Sequence, residues 1–91
     1  MTATGPVRER WMIHITGRVQ GVFFRKSARE MGQRLGLAVT AENLDDGSVR
    51  IEATGEIPAL QEFSHWCATG PPQAIVTNVE IHKQVQGNGA S

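Results

Sequence analysis

Apolar and polar residues alternate strictly from Trp11 to Thr16. Trp11, Ile13 and Ile15 hold one parity, and Met12, His14 and Thr16 the other. A period of two is that of a strand with one buried face. From Phe24 the period changes. Phe24, Ala28, Met31 and Leu35 fall four, three and four apart, while Lys26, Arg29, Glu30 and Gln33 lie off that stripe. This is the pattern of an amphipathic helix, and Gly36 is placed to end it. Alternation resumes with Leu37, Val39 and Ala41 against Ala38, Thr40 and Glu42. Leu44-Asp45-Asp46-Gly47 reads as a turn with glycine at the position needing positive φ. Val49, Ile51 and Ala53 then form the returning arm of a hairpin. Gly55-Glu56-Ile57-Pro58 opens a second helix with proline in its first turn, and Leu60, Phe63 and Cys67 are its apolar stripe. Gly70-Pro71-Pro72 ends it. Val79, Ile81 and Val85 mark a last strand whose end is expected to fray.

The order βαββαβ predicts an α+β, ferredoxin-like sandwich. Each strand has one apolar side, so both helices cover one face of a four-stranded antiparallel sheet. The opposite face should be polar. Strand parity also reaches beyond packing. Asn43 shares the parity of Leu37, Val39 and Ala41, so its side chain is expected on the helix side of the sheet. Arg25, at the start of the first helix, lies on that side too. The two can face one pocket although 18 residues separate them. Glu42 points the other way.

The chemistry concentrates in Gly17-Arg18-Val19-Gln20-Gly21-Val22-Phe23-Phe24-Arg25, between the first strand and the first helix. Two glycines let this loop bend tightly and bring backbone N–H groups together. The following helix adds its unpaired N–H groups and the positive end of its dipole. Arg25 contributes a planar, permanently charged fork. Such an arrangement is an anion cradle, and phosphate is the anion it suits best. The loop lacks the Gly-Lys-Ser/Thr of a Walker motif and the glycine pattern of a dinucleotide site.

Charge sharpens this picture. Nine basic and nine acidic residues cancel, which argues against a nucleic-acid partner. The distribution is uneven. Residues 17–36 carry Arg18, Arg25, Lys26, Arg29 and Arg34 against Glu30 alone, whereas residues 42–56 carry five acids against Arg50. Arg18, Lys26, Arg29 and Arg34 are read as solvated surface that attracts anions at long range. His14, His65 and His82 have no ligand spacing, so no metal site is expected. Cys67 is read as a small buried hydrophobe. With one cysteine, no membrane-length apolar run and no secretory h-region near the N-terminus, a cytoplasmic setting is expected. The 91 residues divide into a loose N-terminal tail over residues 1–10, one domain over 11–85 and a loose C-terminal tail over 86–91.

Over roughly residues 11–85 the chain closely resembles the acylphosphatase family. Residues 17–25 meet its Gly-x-Val-Gln-Gly-Val-x-Phe-Arg motif in full. Asn43, Gly47, Val49 and Gly55 meet a second motif, and Gly70-Pro71-Pro72-Gln73-Ala74-Ile75-Val76 a third. The resemblance implies hydrolysis of acyl phosphates to a carboxylate and inorganic phosphate, with no metal and no cofactor. It implies Arg25 and Asn43 as catalytic residues, with Arg25 binding phosphate and Asn43 orienting the attacking water. Gln20, Gly21, Val22, Phe23, Phe24 and Arg25 become the phosphate-binding segment. The partners implied are a small acyl phosphate and its phosphate product, without nucleic acid or membrane, for a monomer. One stretch departs from the family. Before the asparagine the family usually has Gly-aromatic-Val-basic, and this chain has Val39-Thr40-Ala41-Glu42. Weaker substrate binding is the expected consequence. The competing reading, from another functional class, is a phosphate-binding module with little turnover.

Overall fold

The computed structural model describes residues 8–85. It contains β1 (Arg8–Arg18), α1 (Phe24–Arg34), β2 (Ala38–Asn43), β3 (Val49–Glu56), α2 (Ile57–Cys67) and β4 (Ile75–Val85). The four strands form one antiparallel sheet in the order β2-β3-β1-β4. This is the ferredoxin-like α+β architecture that the apolar pattern predicts.

Register explains why the pattern was readable. Ile13 stands between Ile51 and Ile81, and Ile15 between Val49 and Val79. Cross-strand partners share a face, so one parity on each strand builds one apolar layer. Trp11, Ile13, Ile15, Val49, Ile51 and Ala53 are buried there beneath Phe24 and Ala28 of α1 and Leu60, Phe63 and Cys67 of α2. Trp66 of α2 packs its ring against Phe24 at 5.4 Å and Phe63 at 6.0 Å between centroids. The Phe24–Trp66 contact joins the two helices above the sheet. Burial pushes the Cys67 thiol up to about 12, so it stays protonated and packs as a hydrophobe.

The opposite face is polar, as expected. Arg10 bridges to Glu52 at 2.9 Å and reaches Gln84 at 3.3 Å. Glu42 and Arg50, paired across β2 and β3, are joined by an ion pair.

Two boundaries differ from the sequence reading. β1 begins at Arg8, so residues 8–10 belong to the sheet and not to a tail; Arg8, Glu9 and Arg10 pair with Glu56, Gly55 and Thr54. Those residues carry no apolar alternation, and main-chain pairing with polar side-chain contacts extends the strand. β4 is paired with β1 from Ile75 to Val85, with no frayed end in that span. The remaining tail expectations, over residues 1–7 and 86–91, lie outside the described residues. Among the described residues no helix is long and apolar enough to cross a membrane.

Candidate active site

The site begins where β1 leaves the sheet. Thr16 pairs with Asn78, but Gly17 pairs with Val76, so Thr77 has no partner and β4 bulges. Gly17 sits at φ +127°, and a Cβ there would collide with the Ile75 carbonyl. A side chain is therefore excluded at the point where the chain turns out of the sheet.

Beyond it, Gly21 has φ +74° and Phe23 φ +64°. Among the described residues Phe23 is the one non-glycine with positive φ. Val22 between them is not in that region, so the hand of the backbone alternates over residues 21–23. Such alternation turns successive N–H groups toward one side, the backbone geometry of a nest. No N–H of residues 20–23 donates to a backbone carbonyl of the described residues. α1 starts directly afterwards, with Phe23 as its N-cap, no capping side-chain bond and no acid in its first turn. Its unpaired N–H groups and dipole reinforce the nest.

Asn43 ends β2 opposite buried Val49. Its parity therefore faces the helices. A cleft of about 240 Å³ brings the two segments together, lined by Val19, Gly21, Phe23, Phe24, Arg25, Lys26, Arg29 and Asn43. Arg25 and Asn43, distant in sequence, thus share one cleft. Three cations line it, and its lining includes no carboxylate. Lys26 and Arg29 were expected on open surface; they are exposed, yet they form part of this wall. Helical spacing could have found Arg29, since positions 25 and 29 are four apart and share a face. Among the described residues no group of three His, Cys, Asp or Glu side chains could hold a metal ion.

The altered stretch before Asn43 is now placed. Glu42 lies on the polar face, where Arg50 pairs with it. Its charge is directed away from the cleft, as its parity predicts, and is partly offset by Arg50.

Three further side chains escaped the sequence reading. The Gln20 amide donates to the Leu44 carbonyl and to the Ser48 carbonyl, both at 2.8 Å. It clamps the loop to the turn that follows Asn43. The sequence reading gave Gln20 a place in the anion cradle through its backbone; its side chain has this separate task. Within the turn, Asp46 accepts from the Ser48 N–H at 2.9 Å and from the Ser48 hydroxyl. This closes an Asx turn. Both bonds hold the Asp46 carboxyl below the ordinary carboxylate value. Ser48 is 2 % exposed, and its hydroxyl meets His14 Nε2 at 2.8 Å. His14 thus buttresses the turn from the polar face. Its sequence signal was its off-core parity on β1, opposite the hairpin turn.

Comparison with known proteins agrees with this geometry. The acylphosphatase family model matches residues 11–89. The acylphosphatase of Rubrobacter xylanophilus is 44% identical over 82 residues, covering 90% of this chain and 74% of that protein. The acylphosphatase of Synechococcus sp. strain CC9311 is 46% identical over 83 residues, covering 90% of this chain and 92% of its own. A solved acylphosphatase structure from Coxiella burnetii superposes with a TM-score of 0.83 at 34% identity, covering 92% of this chain and 88% of that one. With the motif loop, the fold and these relatives in agreement, the chain belongs to the acylphosphatase family, whose members hydrolyse acyl phosphates.

Proposed function

We propose that Arg25 and the backbone of residues 20–24 bind the phosphoryl group of an acyl phosphate, and that Asn43 orients the attacking water. The observation that carries this reading is the shared cleft of Arg25 and Asn43 beside an unpaired N–H nest. The carboxylate of an acyl phosphate is a good leaving group and needs little acid catalysis. Positioning and charge stabilisation are the useful contributions. The water oxygen forms a bond to phosphorus. The bond from phosphorus to the acyl oxygen breaks, and its electron pair leaves with the carboxylate. One proton stays on the former water oxygen, and the other passes to a phosphate oxygen of the substrate. Asn43 cannot act as a base, but its amide can accept one hydrogen bond and donate another, which suffices to hold the water. Arg25 and the nest stabilise the phosphoryl oxygens throughout. No metal enters this scheme, and a monomeric, cytoplasmic enzyme without nucleic-acid or membrane partners fits the near-neutral charge.

The test is hydrolysis of a simple acyl phosphate under chelator. The wild type should turn over at full rate without metal. Arg25→Ala should lower kcat/KM about a hundred- to thousandfold, the usual effect of removing one preorganised donor. Asn43→Ala should lower kcat and leave inhibition by inorganic phosphate nearly intact. Background rates from a folded wild type would favour the phosphate-binding module instead, and wild-type kinetics in Arg25→Ala would refute its assignment.

A further inference from the structure

Phe23 combines three properties that the fold does not require. Its side chain is 72% exposed. Its backbone stands at φ +64°, a conformation that an aromatic residue adopts only under strain. It also lines two adjoining hollows. One is the cleft of Arg25 and Asn43. The other, of about 290 Å³, is lined by Val22, Phe23, Ser27, Pro71, Pro72 and Gln73. Residue 23 is therefore a wall common to both. Glycine would adopt this φ without strain, and so exposed a ring adds little to the core.

We infer that Phe23, with Val22, Pro71 and Pro72, forms a subsite for the acyl group of the substrate and selects apolar, aromatic acyl phosphates. This rests on the phosphoryl group being held at Arg25, as proposed above. A phosphoryl group held at Arg25 has residue 23 beside it, and through residue 23 the cleft adjoins the second hollow, into which we place the acyl substituent. There the neighbouring surface is a phenyl ring and two prolines. An aryl group can stack on the ring and cover the prolines. A methyl group is too small to reach across Phe23 into the second hollow. Ser27 and Gln73 at its margin leave the far end wet, so the ligand class is an acyl group with an apolar body.

Binding of two non-hydrolysable analogues tests this. In phenacylphosphonate and acetonylphosphonate a methylene replaces the bridging oxygen, and the two differ only in phenyl against methyl. Calorimetric titration of the intact chain should show the phenyl analogue binding about tenfold tighter, equivalent to about 1.4 kcal/mol. In Phe23→Gly, which relieves the strained φ, that ratio should collapse toward one. Phe23→Leu, which keeps apolar bulk, should retain an intermediate ratio. The ratio isolates the acyl contribution from any change in phosphate affinity, which inorganic phosphate titrated alongside reports. Equal affinities in the wild type, or an unchanged ratio in Phe23→Gly, would overturn the subsite. An intact preference without turnover of benzoyl phosphate would instead count against the catalytic reading and leave the subsite standing.

Discussion

The loop before α1 and the turn after β2 meet at one cleft but are built in opposite ways. In the turn, internal hydrogen bonds hold the segment together. The Leu44 N–H donates to Ser48 O at 2.9 Å, the Gly47 N–H to Leu44 O at 3.1 Å, and the Ser48 N–H and hydroxyl to Asp46. His14 supports it from behind. In the loop, the N–H groups of residues 20–23 have no backbone carbonyl partner among the described residues, and the chain holds left-handed turns at Gly21 and Phe23. The turn is closed by its own bonds, whereas the loop, on the function proposed above, is completed by the bound phosphoryl group. A rigid turn suits the water-holding role proposed for Asn43, and a nest without backbone partners suits the anion proposed to bind it. The Gln20 side chain is the link between the two.

Of the changes that separate loop from turn, cutting that link should have the largest effect. Gln20→Ala leaves the nest with its glycines and leaves the turn with its internal bonds, but removes both amide bonds between them. A misplacement of about 1 Å near the reacting atoms can cost up to a hundredfold in rate. We expect kcat to fall about ten- to a hundredfold while inorganic phosphate still inhibits at similar concentration. Gln20→Glu should be worse at neutral pH, because a carboxylate would face two carbonyl oxygens. It should recover in part as acidification restores an O–H donor. Equal loss in both variants at every pH would mean that the two bonds do not carry the effect.

The nest side can be weakened without touching the turn. Gly21 has open space around its Cβ position, so Gly21→Ala meets no clash and is penalised by φ +74° alone. The left-handed conformation costs a non-glycine about 1–2 kcal/mol. Thermal melting should show a loss of that order, and saturating phosphate should recover more of it than in Gln20→Ala, since anion binding favours the nest geometry. If phosphate raised the two melting temperatures equally, the contrast between an incomplete loop and a finished turn would fail.

The same contrast explains what could be read from the sequence. The apolar layer was legible because Ile13, Ile51 and Ile81 align across three strands, and period-two patterning is all that such a layer demands. Asn43 was legible for the same reason: it is the last residue of a parity that begins in the core. Arg25 was legible through motif and helix start together. Gln20, Ser48 and His14 were not, because their partners are fixed by the approach of β1, the loop and the turn in space, which no local period encodes. The start of β1 at Arg8 was hidden because main-chain pairing with residues 54–56 leaves no mark on side-chain hydropathy.

The smallest expected effect lies on the turn. The Ser48 hydroxyl and N–H hold the Asp46 carboxyl below its ordinary value of 3.8. A group depressed in the folded state adds stability above its unfolded pKa, and that contribution disappears as pH falls through the folded value. Asp46→Asn keeps an oxygen to accept from Ser48 but removes the charge. Melting temperatures of wild type and Asp46→Asn should therefore differ at pH 6 and converge as pH drops below 3.8. Asp46 is exposed, so solvent screens its charge and the gap should be small. Ser48→Ala should reduce the pH dependence of that gap, because it removes the leading cause of the shift and keeps the second, the Ser48 N–H bond. It should also lower stability by about 1 kcal/mol, the net worth of a buried hydroxyl bond. Undiminished acid sensitivity in Ser48→Ala would mean that the Ser48 N–H bond, and not the hydroxyl, carries the charge effect.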